Sequence, residues 1–344
     1  MAVTVAQLID LGKQTQAELG EYKFEDYSTS IQRYEVMPRL IKENRKIVTS
    51  GTSIKRNVMM GTSNSAEMVQ LYGTDSTSTP QLMQVADIPW RHMSSWYQWE
   101  RREILFNRRP SQIVDIMMTR RHANVIAQAE LFETQFFSKP ADSTDTLNSY
   151  GYPMWIVANN GAAGFNGGNP SGFTSGVGGL SSSTYTAYAN YTSGYTNVTK
   201  DDAVAKGNTL LRAIDWQIPD DYPSYSAAMQ DLRVLVNETT FSSAQRLLEL
   251  QNDNLGGNLS PFQNNVSWTN RIPMVLCRKL DADSANPFVF MDYSCWEVIF
   301  LEGDEMVEDG PNQVPNQHNV FRTFVDSSFN FLCNNRRRQG SLSV

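Results

Sequence analysis

Apolar positions recur along residues 110–138, PSQIVDIMMTRRHANVIAQAELFETQFFS, at the period of an α-helix. Val114, Met118, Val125, Phe132 and Phe136 follow one another at intervals of four, seven, seven and four, so a single stripe carries all five. Ser111 is placed to cap the first turn, Asp115 lies near the positive end of the helix dipole, and Lys139-Pro140 stops the run. At ~1.5 Å per residue the helix would be roughly 40 Å long, more than twice the average length of ~11–12 residues. No segment of comparable length offers a bundle partner. The pattern predicts a spine on which other elements hang.

Upstream, Val5, Leu8 and Ile9 suggest a short amphipathic helix broken at Gly12 and Gly20. Tyr22, Phe24, Tyr27, Ile31 and Tyr34 read as an arm that packs on another surface, such as a neighbouring subunit, and 37–44 adds a turn or two of helix. Residues 45–106 give two extended limbs. Val and Ile dominate the first, Trp90, Trp96, Tyr97, Trp99, Ile104 and Phe106 the second, and the polar tract GTDSTSTP lies between them. This predicts a long hairpin or finger. A lone two-stranded ribbon is marginal in water, so it needs a surface to lie on.

Downstream of the spine, 141–153 is a polar link and 159–199 is rich in Gly, Ser, Thr, Asn and Tyr. That tract reads as a loop, with Tyr185, Tyr188, Tyr191 and Tyr195 as rigid surface that fixes it against neighbours. An α/β lobe follows. A helix is expected over 200–217, capped by Thr199 or Asp201, then a buried strand in 231–240 and a helix over 240–253. RIPMVLCRKL and NPFVFMDY read as strands around a turn, 294–309 fits strand or helix, and 319–340 alternates as strands do.

With 344 residues the chain is long enough for two or three lobes. No apolar run approaches the ~20 residues of a membrane span. The N-terminus lacks the pattern of a signal peptide, which leads to an expectation of intracellular origin. Cys277, Cys295 and Cys333 stand far apart and odd in number, against a disulfide framework or a zinc site, and are expected as small buried apolar residues. The net charge of −7 is unevenly spread. Residues 31–125 hold 14 basic and 8 acidic side chains, and 126–344 hold 13 and 23. Such a division suits surfaces that attract each other between copies.

Catalytic signatures are missing: there is no GxxxxGK[ST], GxSxG, HExxH or EF-hand loop. His92, His122 and His318 lie in three different elements, and the acidic groups Asp220-Asp221 and Glu302/Asp304/Glu305 read as solvated turns. The expectation is a protein that is not an enzyme and holds no cofactor or metal. The basic pairs Lys55-Arg56, Arg101-Arg102 and Arg108-Arg109 flank the finger, near Trp90, Trp96 and Trp99. Basic groups with aromatics fit single-stranded nucleic acid, but the acidic body favours ion pairs between subunits. Lys55, Arg56, Trp90, Trp96, Trp99, Arg101, Arg102, Arg120 and Arg121 are therefore the candidate inter-subunit contacts.

An N-terminal arm, a long finger, one spine helix and a later α/β lobe, in that order, resemble the major capsid protein of tailed bacteriophages. The ending FRTFVDSSFNFLCNNRRRQGSL is similar to the closing strands of that family. The resemblance implies an α+β fold with an N-arm (1–44), an E-loop hairpin (45–106) and a P-domain (107–153) holding the spine helix over 110–138. Strands from about 311–344 would join the P-domain, and an A-domain (154–310) would carry the 159–199 insertion. It also implies pentamers and hexamers closing into an icosahedral virion head around double-stranded DNA, with no sequence-specific DNA contact and no membrane. Synthesis in the host cytoplasm, a scaffolding protein, a portal and decoration proteins come with it. The short arm before the finger leads to an expectation that the scaffold is a separate gene product. The alternatives are an encapsulin-like nanocompartment shell, a β-rich carbohydrate-binding or hydrolytic protein suggested by the tryptophans, and a tail or other virion protein.

Overall fold

The computed structural model describes residues 34–61, 68, 70–71, 82–106, 110–215, 231–253, 267–268, 272–317 and 319–344. The arm expected over 1–33 and most of the finger's polar middle lie outside the described residues.

In chain order the elements are α1 (Val36–Glu43), β1 (Arg45–Val48), β2 (Ser53–Met59), β3 (Met83–Pro89), β4 (Arg91–Glu100), α2 (Arg101–Phe106) and the spine α3 (Pro110–Phe136). There follow β5 (Gly164–Gly167), β6 (Asn190–Gly194), α4 (Ala205–Ile214), β7 (Leu232–Val236), α5 (Glu238–Asp253), β8 (Ser267–Trp268) and β9 (Ile272–Leu276). The chain closes with β10 (Phe288–Asp292), β11 (Trp296–Leu301), β12 (Val307–Gln313), β13 (Val320–Cys333) and β14 (Gly340–Ser343).

Two sheets and a separate hairpin organise these strands. The first sheet runs β1-β11-β13-β12, with β4 also paired to the long β13, and the second runs β5-β6-β14-β10-β7-β9-β8. β2 and β3 pair only with each other. Alternation explains how the second sheet is covered on both faces. Leu235, Val289 and Met291 point into a core shared with the spine and the first sheet, while Val234, Val236, Phe288 and Phe290 point into a second core with Leu210, Leu211 and Trp268.

Four expectations change. Only 53–89 of the predicted finger forms a hairpin. β1 instead pairs in parallel with β11, and the Trp-rich limb pairs with β13 from Arg91↔Phe329 to Glu100↔Val320. The ten-residue limb finds a longer ladder on β13 than the seven-residue β2 offers. The closing strands also separate. β11 and β12 belong to the first sheet, whereas β14 returns to the second between β6 and β10, so the closing strands divide between the two. The expected helix over 200–217 opens as a π-helical turn, Lys200–Val204, without a side-chain cap from Thr199, and its α part ends at Ile214.

The spine is the fourth. It begins at Pro110, which leaves Ser111 inside its first turn. Phe132 and Phe136 are buried, but Met118 and Val125 are 63% and 51% exposed. The side chains turned into the body at the helix's middle are Asn124 and Gln128, and Gln128 donates to Ser95 Oγ at 2.6 Å.

Two buried charges tie the pieces together. The Glu133 carboxylate of the spine accepts from the backbone N–H groups of Glu35, Val36 and Met37 at 3.2, 3.2 and 2.8 Å, capping α1 from a distant element. Arg336, 2% exposed, donates to the carbonyls of Trp155, Tyr188, Gly167 and Gly168 and stands 4.9 Å over the Tyr188 ring. The 159–199 tract is thereby fixed on its own chain. Tyr188, Tyr191 and Tyr195 are buried there, which corrects the expectation that they meet neighbours.

Candidate assembly surfaces

Opposed residues on β2 and β3 share a face, so the register divides the hairpin. Ile54, Ala86 and Ile88 are buried against the body. On the other face stand Lys55 opposite Asp87, Asn57 opposite Val85, and Met59 opposite Met83. Met59 is 60% exposed and Met83 53%. Trp90, buried, closes the hairpin's base by donating from Nε1 to the Gly51 carbonyl at 2.8 Å. Beside the base lies a cleft of about 490 Å³ lined in part by Lys46, Lys55, Arg56 and Glu297. Glu297 is nearly buried and takes Lys46 Nζ and Asn334 Nδ2, each at 2.5 Å, with Arg56 Nη2 4.0 Å away.

A second surface forms where β4, β13 and the N-terminal half of the spine meet. Trp96 is 55% exposed, and Arg322 stands 5.6 Å from its ring and 5.6 Å from that of Phe324. Trp99 points the other way and stacks with Tyr97 and Phe321 at 6.2 Å each. Of the three tryptophans that suggested a sugar platform, only Trp96 presents an exposed ring.

The candidate arginines have partners within the chain. Arg120 donates to Glu103 at 2.7 Å and to the Gln98 carbonyl at 2.9 Å, Arg121 to Glu308 at 2.6 Å, and Arg102 lies 3.9 Å from Glu100. Arg101 is exposed, with its backbone N–H on the Asn319 carbonyl at 2.8 Å. The structure thus brings Trp96, Trp99, Arg101, Arg102, Arg120 and Arg121 together around β4 and groups Lys55, Arg56 and Trp90 at the hairpin base. Within the chain, Arg120 and Arg121 already hold acidic partners, while the side chains of Arg102 and Arg121 remain 65% and 61% exposed. Large apolar side chains also stand uncovered: Met59, Met83 and Val85 on the hairpin, Met118 and Val125 on the spine. Sequence reasoning passed over the first three, although the alternation of β2 and β3 carries the signal.

Little here is arranged for chemistry. The three cysteines are free and buried, and burial pushes the Cys295 thiol up to about 11 and raises Cys333 as well. Among the described residues no group of three or more His, Cys, Asp or Glu is placed to hold a metal ion. His92 Nδ1 lies 2.6 Å from Ser328 Oγ, which itself donates to Asp304. His318 and Asp220-Asp221 lie outside the described residues.

No family model and no curated protein matches the chain. Solved structures do. A capsid chain of cyanophage A-1(L) superposes with a TM-score of 0.60 at 10% identity, covering 94% of this chain and 95% of that one. The capsid of an empty gene transfer agent particle gives 0.53 at 12% identity over 95% and 97%, and that of cyanophage P-SCSP1u gives 0.51 at 12% over 95% and 92%. The chain has the tailed-phage capsid fold.

Proposed function

We propose that this chain is the major capsid protein of a tailed, double-stranded DNA bacteriophage, building a closed icosahedral head from pentamers and hexamers. The observation that carries the reading is a capsid fold shared over nearly the whole of both chains, with apolar side chains left exposed on the hairpin and the spine. Met59, Met83 and Val85 face outward from the hairpin, and Met118 and Val125 from the spine. Covering them with another copy gains about 25 cal/mol per Å² of apolar area. It also covers the one face of the two-stranded ribbon that its own chain leaves open. The E-loop is then 53–89, the P-domain the first sheet with α3, and the A-domain the second sheet with its insertion. The acidic net charge suits a shell inside which a duplex must slide during packaging. A scaffolding protein, a portal and decoration proteins are the expected partners, the mature virion the expected location, and no catalytic role is assigned.

Co-expression with the candidate scaffold and negative-stain microscopy test this. Closed particles of uniform size are the expected product, and Met59→Asp with Met83→Asp should leave a folded chain that does not assemble. A wild-type chain that stays monomeric under all assembly conditions, or a double variant that assembles normally, would overturn the proposal.

A further inference from the structure

The Gly-rich tract does more than fill space beside the second sheet. Its two ends run into strands of that sheet, β5 at Gly164–Gly167 and β6 at Asn190–Gly194, and Arg336 holds the carbonyls of Gly167, Gly168 and Tyr188. Between these anchors the chain reaches the hairpin. Phe173, Val177 and Leu180 are buried in the same core as Ile54, Ala86 and Ile88. The Asp87 amide, which points away from β2, donates to the Gly178 carbonyl at 2.9 Å.

That contact requires glycine. Gly178 has φ +64°, and a Cβ there would lie 3.0 Å from Ala86 Cβ and 3.2 Å from Asp87 N. The hairpin's own links to the body are narrow. One passes through Gly51 at φ +142°, and the other through Trp90, whose indole bonds the Gly51 carbonyl.

We propose that residues 167–188 form a strap that couples the tilt of the hairpin to the second sheet, with Gly51 and Trp90 as the pivot and the Gly178–Asp87 bond as the clasp. The hairpin and the strap then open as one cooperative unit, whatever surface the hairpin covers. Movement of the second sheet reaches the hairpin through Arg336 and the strap.

Hydrogen exchange on the unassembled chain tests the coupling. Gly178→Ala should speed exchange of the 83–89 segment roughly five- to tenfold, the range expected for one lost hydrogen bond. Gly179→Ala is the control, because Gly179 has φ +80° with nothing within 4 Å, giving similar backbone strain without the contact. It should leave 83–89 within about twofold of wild type. Equal effects of the two variants, or no effect of Gly178→Ala, overturn the strap. The wild-type protein supplies an independent measurement. Segments 83–89 and 172–181 should open with the same denaturant dependence, and protection differing by more than about tenfold would overturn the coupling even if Gly178→Ala does not fold.

Discussion

The two ends of the spine helix carry the same apolar stripe and use it differently. At the C-terminal end Phe132 meets Phe329 and Phe331 at 5.2 and 5.0 Å, and Phe136 meets Trp296 and Phe331 at 5.1 Å each. Toward the N-terminus, Met118 and Val125 stand in solvent while Asn124 and Gln128 turn inward. Residues spaced by four (120, 124, 128, 132, 136) follow a line that winds slowly around the helix, and the body covers that line. Residues spaced by seven keep a different heading and separate from it toward the N-terminus. Periodicity identifies an apolar face. It does not say whether the cover comes from the same chain.

The sharpest test of this contrast compares the two ends directly. Phe136→Ala should destabilise the unassembled chain by about 3–5 kcal/mol, and Met118→Ala should stay within about 0.5 kcal/mol, both read from chemical denaturation. Similar losses at the two positions would erase the distinction. Arg336→Met should cost about 2–4 kcal/mol, because the carbonyls it holds lose their buried donor. Arg336→Lys should rescue little, since an ammonium cannot reproduce the planar fork.

Glu133 gives a smaller effect with a defined sign. Burial raises its carboxyl above the ordinary 4.5, outweighing the three N–H donors that lower it. The folded state therefore holds the proton more tightly than the unfolded chain does. The resulting stability is full below the unfolded value and is lost as pH rises through the raised folded value. Wild type should lose stability relative to Glu133→Gln over that window, and a wild-type advantage that grows with pH would contradict the assignment. The smallest effect is expected at Arg121, which pairs with Glu308 on the open surface. Arg121→Ala should leave the denaturation midpoint unmoved and salt-insensitive.

Much of the fold was legible wherever a segment is decided by its own residues. The spine ends within two residues of the expected Ser138, and buried strands appear in 231–240, RIPMVLCRKL and NPFVFMDY. What escaped depends on distant partners. Nothing in RHMSSWYQWE states that it pairs with β13 in preference to β2, and GSLS gives no sign of inserting between β6 and β10. Arg336 is the first of three successive arginines, and nothing in the sequence marks it as the buried one until the tract it holds is folded around it. The candidate surfaces were half legible. Their elements were expected, but several of the charges that drew attention hold partners within the chain, and the exposed Met and Val beside them were passed over.

The central claim is that other copies cover the outward face of the hairpin. A cryo-electron microscopy reconstruction of assembled particles measures this most directly. The account predicts Met59, Met83 and Val85 in van der Waals contact with an adjacent copy. A shell in which those three side chains face solvent would contradict it.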